Sequence, residues 1–266
     1  MSRRTGLESG AVRGQPLLAA TPGWTLPRAD PQAAPDFGQP PPLGETARSS
    51  ARDGDSVTIQ LAPAARPIYE VTKRTFDILI AAGLLVFLSP LLLATFLVVK
   101  ATSSGPALFR QARCGRGGAS FTCWKFRTMV YNAEAARDAL LPSNECSGPV
   151  FKIRRDPRVT TIGRVLRKTS IDELPQLWNV LRGDMSLVGP RPPLPGEVTA
   201  YSARERERLS VRPGLTGLWQ VSGRSNLSFE RWIELDLEYV QRRSFLLDLR
   251  VLVLTIPAVI TGRGAW

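Results

Sequence analysis

The sequence predicts a membrane-attached α+β protein, mainly helical, and three observations carry that expectation. Twenty-two consecutive uncharged residues run from Ile78 to Val99. Ala107–Arg113 and Ser120–Arg127 flank the glycine-rich stretch Gly115-Arg116-Gly117-Gly118, the pattern of a β-hairpin with a loose turn. From Thr160 onward helix signals recur, separated by loops that carry proline or glycine.

Residues 1–67 hold ten of the twenty-two prolines and few large apolar side chains. Such a stretch buries too little surface to offset its ordering entropy, so a disordered arm is expected. It lacks the basic-then-apolar layout of a signal peptide. A helix then starts at Ile68 and runs into the apolar segment, with Tyr69, Lys73 and Arg74 suited to a headgroup layer. At the helical rise the uncharged run reaches about 33 Å, against a hydrocarbon core of roughly 30 Å. Ser89-Pro90 stands at its middle, and proline removes a backbone hydrogen bond and clashes with the preceding turn. A sharp bend is therefore expected at Ser89. Each arm is then about 16 Å long, half a bilayer. A span and a re-entrant dip both fit, and they put the rest of the chain on different sides of the membrane. Lys73, Arg74 and Lys100 bracket the segment, and positive charge on both flanks fits both ends lying at the cytoplasmic face.

Composition narrows the function classes. The formal charge is +12, and from Ala101 onward there are 25 Lys and Arg against 15 Asp and Glu. Anionic lipid headgroups would attract such a surface. Nucleic acid is not the expected partner, because no reading motif accompanies the arginines. Cys114, Cys123 and Cys146 match no zinc spacing, and their odd number argues against a disulfide framework; they suit a reducing compartment. Histidine is absent from the sequence. Catalysis must then rest on carboxylates, Lys, Arg, Ser or Cys.

Beyond the hairpin, Met129–Leu141 reads as a helix ending before Pro142, and Asp156-Pro157 as a turn. Thr160–Lys168 and Pro175–Leu181 read as short helices. Gly189-Pro190-Arg191-Pro192-Pro193 must be irregular, since three prolines forbid helix and central strand alike. Val198–Leu209 alternates Arg and Glu and is expected as a helix with a solvated face. Ser228 is placed to cap a helix running to Arg243, with Trp232, Leu235 and Tyr239 along one side. Phe245–Ile260 is apolar but interrupted by Asp248, Arg250 and Pro257, which favours an interfacial or buried helix over a span.

The densest chemical signal is Arg167-Lys168-Thr169-Ser170-Ile171-Asp172-Glu173-Leu174-Pro175-Gln176. Ser170 with Glu173 has the form of a capping box, and Asp172 would then merely favour the helix dipole. Pro175 complicates that, because it fits best as a first helical residue and leaves the carboxylates in the turn entering the helix. On local pattern both readings stand. Paired carboxylates beside Arg167 and Lys168 make a place where phosphates and Mg²⁺ can meet, since Mg²⁺ takes one or two carboxylates and shares its substrate's phosphates. Arg191, held between two prolines, is suited to bidentate phosphate contact. The glycine turn at Gly115–Gly118 lacks the strand-to-helix context of a phosphate loop.

The chain resembles the bacterial sugar transferases of the monotopic polyprenyl-phosphate phosphoglycosyltransferase superfamily from Tyr69 to the C-terminus. The resemblance rests on Lys73-Arg74-Thr75-Phe76-Asp77, Ser89-Pro90, Lys125-Phe126-Arg127-Thr128-Met129 and Ser170–Gln176. It continues through Gly183–Pro192 and Arg212-Pro213-Gly214-Leu215-Thr216-Gly217. It implies three regions: the arm over 1–67, a re-entrant membrane helix broken at Ser89 and Pro90 over 68–104, and a cytoplasmic catalytic domain with interfacial helices over 105–266. It implies transfer of a hexose 1-phosphate, galactose or glucose, from a UDP-sugar to undecaprenyl phosphate with release of UMP. That is the first step of exopolysaccharide or glycan repeat-unit synthesis, at the cytoplasmic face of the bacterial inner membrane. Asp172 falls on the family's nucleophile, and Glu173 on the partner that helps hold Mg²⁺ or manages a proton. Arg167, Arg191 and Arg224 fall on positions for phosphate or nucleotide contact. Many family members carry extra N-terminal membrane helices, so this chain looks like the minimal form. A homo-oligomer or polysaccharide-assembly proteins are the further partners such a role suggests. A glycosyltransferase releasing UDP, or a non-catalytic membrane scaffold, are the competing classes.

Overall fold

A computed structural model of the chain describes residues 66–262 together with Gly264 and Ala265. All but the last two residues of the expected arm over 1–67 lie outside the described residues. The described part is mainly helical with two small sheets.

Helix α1 (Pro67–Phe87) and helix α2 (Ser89–Thr102) form the first unit. They meet at Leu88 with a 61° bend. The expected break is there, one residue before Ser89, with Pro90 in the first turn of α2, where its missing N–H costs least. Ser89 Oγ donates to the Val86 carbonyl, which helps satisfy the end of α1. Among the described residues no single helix is long and apolar enough to cross a membrane, but this bent pair together passes that test.

The basic residues before the apolar run face the protein, which corrects the expectation of a headgroup layer. Lys73 Nζ lies 2.9 Å from Asp248, and Tyr69 donates to the same carboxylate at 2.9 Å. Arg74 donates to the Val180 and Leu181 carbonyls. Asp77 accepts from the Leu187 amide at 3.1 Å. These contacts bind α1 to the globular part through buried, fully partnered polar groups, which unpaired would be costly.

Strands β1 (Leu108–Cys114) and β2 (Ser120–Phe126) form the expected hairpin, paired from Leu108↔Phe126 to Cys114↔Ser120. The stretch after it departs from expectation. Residues 131–137 are successive turns and Asp138–Ser143 is a short 3₁₀ segment, not a helix. Asn132 takes a left-handed φ of 63°, and Arg158 captures the Ala133 carbonyl, so α-helical bonding cannot propagate there.

Helix α3 (Thr161–Thr169) is capped by Thr160, whose hydroxyl accepts from the Gly163 amide. Gly163 is required for packing: a Cβ there would lie 2.0 Å from the Thr128 carbonyl oxygen. Helix α4 (Gln176–Arg182) follows, then strand β3 (Ser186–Val188), which pairs in parallel with β4 (Gly214–Thr216). A Cβ on Gly214 would meet the Gly189 amide at 2.1 Å, which accounts for glycine in both recognised blocks.

The expected Arg/Glu helix over Val198–Leu209 is instead three pieces. They are helix α5 (Pro195–Thr199), helix α6 (Ala203–Arg206) and a 3₁₀ turn at Glu207–Ser210. Tyr201 is buried between the first two, and Ser202 caps α6. The second half is not a solvated face, because Arg208 and Leu209 are buried. Helix α7 (Leu218–Ser222), helix α8 (Phe229–Arg242) and helix α9 (Phe245–Thr261) complete the fold. Ser228 caps α8 as expected, and Trp232, Leu235 and Tyr239 are buried along it. Helix α9 keeps Asp248 and Val251 inside while Leu246, Val253, Ile256 and Ile260 stay exposed.

Candidate active site

Asp172 and Glu173 lie in a 3₁₀ turn (Ile171–Glu173) between α3 and α4. Ser170 has a left-handed φ of 57° and closes α3 rather than capping the next helix, so the capping-box reading fails. Pro175 stands one residue before α4, and the carboxylates occupy the turn entering it, as its position predicted. Backbone bonds from Glu173 N to Ser170 O (3.2 Å) and Leu174 N to Ile171 O (3.2 Å) hold the turn.

The neighbouring elements aim basic groups at this turn. Asn179 on α4 is fully buried, donates to the Thr122 carbonyl and accepts from the Trp124 amide. It thereby docks α4 against β2, which brings Lys125 Nζ to 2.8 Å from Glu173 Oε1. Each residue of the Lys125–Met129 block has a task. Phe126 is in the core, Arg127 donates to Ser103 at the end of α2, and Thr128 Oγ1 accepts from Arg167 Nε at 3.0 Å. Met129 bridges to Val159.

Arg191 sits in the expected irregular loop, and that loop is gripped at every carbonyl from 190 to 193. Gly214 N donates to Pro190 O, Arg208 to Arg191 O, Arg113 to Pro192 O and Cys114 N to Pro193 O. Proline lacks the donor, so a loop this rich in it is anchored through its acceptors. Arg208 and Asp236 form a buried ion pair beneath it, each side chain about 1 % exposed. Arg224 follows Gly223 with a left-handed φ of 55°.

The electrostatics tie these groups together. Asp172 is 8 % exposed. Burial and the adjacent Glu173 charge push its carboxyl above the ordinary aspartate range. Burial would raise Glu173 as well, but Lys125, Arg191 and Arg113 outweigh it and hold that carboxyl below the usual range. Its side chain retains 37 % accessibility, so Glu173 lies deep in the protein yet open to a ligand. The fields of Arg167 and Arg224 also reach Glu173. Two carboxylates therefore sit side by side with unequal proton affinities, a pattern that recurs where acid, base or nucleophile chemistry is needed.

The donor set fits Mg²⁺ of the substrate-sharing kind. Among the described residues no cluster of three Asp, Glu, Cys or His side chains forms a protein-only cage. Two carboxylates suffice for a magnesium ion that keeps waters and binds a diphosphate.

All five residues expected at the site, Asp172, Glu173, Arg167, Arg191 and Arg224, are thus coupled by geometry or by charge. Ser89 and Pro90 belong to the helix break. Two basic residues were absent from the expected set. Lys125 pairs with Glu173, and its signal was a lone lysine between Trp124 and Phe126 in a strand. Lys152 is half-buried beside Ser225, Trp219 and Trp232. Burial first, and then Arg191, lower its ammonium to about 7. The signal there was a charge inside the apolar run Val150-Phe151-Lys152-Ile153.

Residues 68–262 match the family model described as bacterial sugar transferase. The chain is 44 % identical over 207 residues to the exopolysaccharide production protein ExoY of Sinorhizobium fredii, an alignment covering 76 % of this chain and 92 % of that one. It is 43 % identical over 212 residues to the UDP-glucose:undecaprenyl-phosphate glucose-1-phosphate transferase of Caulobacter vibrioides, covering 77 % and 75 %. It is 42 % identical over 199 residues to the undecaprenyl-phosphate galactose phosphotransferase of Salmonella typhimurium, covering 73 % of this chain and 41 % of that longer protein. The chain belongs to the bacterial sugar transferase family.

Proposed function

We propose that this protein moves hexose 1-phosphate from a UDP-hexose to undecaprenyl phosphate, releasing UMP, as the first step of exopolysaccharide or glycan repeat-unit assembly. The observation that carries the reading is the Asp172–Glu173 turn, a buried aspartate beside a ligand-accessible glutamate, with Lys125, Arg167, Arg191 and Arg224 acting on the pair. Relatives named for transfer of glucose 1-phosphate and of galactose phosphate to undecaprenyl phosphate support it. Because they cover both sugars, glucose and galactose stand as equal candidates.

Asp172 is the nucleophile, and no histidine base is needed, since an ionised carboxylate attacks directly. An Asp172 oxygen bonds to the β-phosphorus while the bond from that phosphorus to the bridging oxygen breaks. The bridging oxygen keeps the electron pair and leaves as part of UMP. A phosphate oxygen of undecaprenyl phosphate then attacks the aspartyl phosphosugar, and Asp172 departs as a carboxylate. Raised proton affinity makes the ionised Asp172 a stronger nucleophile. Lys125 keeps Glu173 charged and placed, and the arginines stabilise negative charge on the transferring group. Asp172 and Glu173 would hold Mg²⁺, which neutralises phosphate charge when bound.

The bent pair α1–α2 is read as a re-entrant element that enters and leaves one face of the membrane. Its support is the 61° bend, the exposed Val86 and Phe87 at the tip, and the ties from Tyr69, Lys73 and Arg74 to the globular part. Exposed Leu246, Val253, Ile256 and Ile260 support reading α9 as an interfacial helix. The membrane face is the cytoplasmic one of the bacterial inner membrane, where nucleotide sugars are available.

Full-length protein incubated with Mg²⁺, undecaprenyl phosphate and a panel of UDP-hexoses tests the chemistry. UMP as the nucleotide product supports the reading, whereas UDP would assign a glycosyltransferase and neither product a scaffold. Protease or thiol mapping that put the residues before α1 and those after α2 on opposite faces would overturn the re-entrant reading.

A further inference from the structure

Lys152 is a basic group near the site that neither the mechanism nor the recognised motifs employ. Its side chain is half-buried, and its Nζ donates to Ser225 Oγ at 2.6 Å. Among the described residues no carboxylate lies within ion-pair distance of it. It lies 5.4 Å from the ring centre of Trp219 and 6.0 Å from that of Trp232. Those two rings are stacked with centres 4.5 Å apart. Both distances are those of a cation over a ring, an attraction that leaves the ammonium without an anion. The tryptophans therefore hold the ammonium without supplying a counter-ion.

Arg191 has the same relation to the same stack, at 5.8 Å and 5.5 Å. Its guanidinium has no carboxylate partner among the described residues either. Two buried or half-buried cations beside one aromatic pair repel each other, and Arg191 is indeed a cause that lowers Lys152. Ser225, which receives the Lys152 hydrogen bond, directly follows Arg224. An ammonium partly withdrawn from water without a counter-ion carries a cost, and an arriving anion offsets it.

We propose that Lys152, with Arg191 and the Arg224–Ser225 turn, forms the seat for the phosphate of the departing uridine nucleotide. The inference rests on the nucleotide-sugar reading above. When the bond between β-phosphorus and bridging oxygen breaks, that oxygen stays on UMP, whose phosphate changes from an ester-anhydride with one charge to a monoester with up to two. A second cation at the seat matches the charge that appears during the step, so Lys152 stabilises the leaving group more than the bound substrate. The groups whose charges act on Lys152 are Arg191, Cys146, Glu173 and Lys125.

The test is UMP and uridine binding to the detergent-solubilised full chain, compared between wild type and Lys152→Met, with thermal unfolding measured on both without nucleotide. Lys152→Met should bind UMP tenfold or more weakly, bind uridine as wild type does, and unfold at the same or a higher temperature. A folded Lys152→Met with UMP affinity within twofold of wild type overturns the proposal, and so does an equal loss of uridine binding. Should that variant not fold, wild-type titrations replace it. UMP affinity should fall progressively above pH 7, steepening toward tenfold per pH unit, while uridine affinity stays level; a flat UMP profile overturns the proposal. Failure of the underlying reading looks different, because wild type would then bind no UMP and release none from UDP-hexoses.

Discussion

Two sets of charge, one buried and one half-buried, border the same tryptophan, Trp232, and they are treated in opposite ways. Arg208, 5.2 Å from its ring centre, has a buried counter-ion in Asp236 and further bonds to Tyr201 and the Arg191 carbonyl. Lys152, 6.0 Å from the same centre, has a serine hydroxyl and no counter-ion among the described residues. Charge whose partners are all within the protein builds the scaffold that holds the Arg191 loop. Charge left without a protein partner marks where a substrate completes the set. The same contrast separates the Lys73–Asp248 tie at the base of α1 from Asp172, a carboxylate held above its ordinary proton affinity with no cation in contact.

Each side of the contrast can be attacked by substitution. Asp172→Asn should reduce UMP release by about 10⁴-fold or more, because the nucleophile is lost. Its unfolding temperature should not fall, since a strained buried carboxyl is removed; a large loss of stability would place Asp172 with the scaffold. Asp236→Ala should do the reverse first, destabilising the fold by roughly 3–5 kcal/mol in denaturant titration because Arg208 is left buried without a counter-ion. If that variant were as stable as wild type, the scaffold assignment would be lost. Lys125→Met should slow UMP release about 10²-fold. It should also move the acidic limb of the pH–rate profile, because Glu173 then loses the cation that lowers it and the shared proton is redistributed. An unmoved limb would separate Lys125 from the carboxylate pair.

The smallest expected effect is one of pH on stability. Lys152 is lowered to about 7 in the folded protein from an ordinary 10.5. Between those values the unfolded chain binds more protons at this residue, so its contribution to stability rises with pH. The contribution is complete above 10.5 and is lost as pH falls through 7. Wild type should therefore gain stability relative to Lys152→Met across that window, as read by unfolding midpoints at successive pH values. Parallel curves would mean that the ammonium is neutralised within the protein.

What could be read from the sequence followed the reach of local rules. Proline within an apolar run located the α1–α2 break to one residue, and alternation around a glycine turn located the hairpin. The dyad turn was legible because Pro175 limits where a helix can start. Local rules failed where a distant partner decides. Nothing near Met129–Leu141 announces that Arg158 takes a carbonyl out of that stretch. Nothing in the Arg/Glu pattern distinguishes Arg208, which is buried with Asp236, from Arg204, which is exposed. Tyr69, Lys73 and Arg74 looked like headgroup ligands because their partners, Asp248 and the end of α4, lie more than a hundred residues away. Lys125 and Lys152 were passed over for the same reason. A lysine in an apolar strand or run is ordinary until the carboxylate, or the lack of one, beside it is known.

The central claim is that the unpartnered charges around Asp172 serve a covalent, two-step transfer, and acceptor-free turnover tests it most directly. Wild-type protein is mixed with Mg²⁺ and a UDP-hexose accepted as substrate, without any polyprenyl phosphate, and UMP is counted while the protein is digested for mass spectrometry. The account predicts a burst of up to one UMP per protein and a hexose-phosphate adduct on the peptide containing Asp172, both absent in Asp172→Asn. UMP release that requires the lipid acceptor, or an adduct on any other residue, would contradict it.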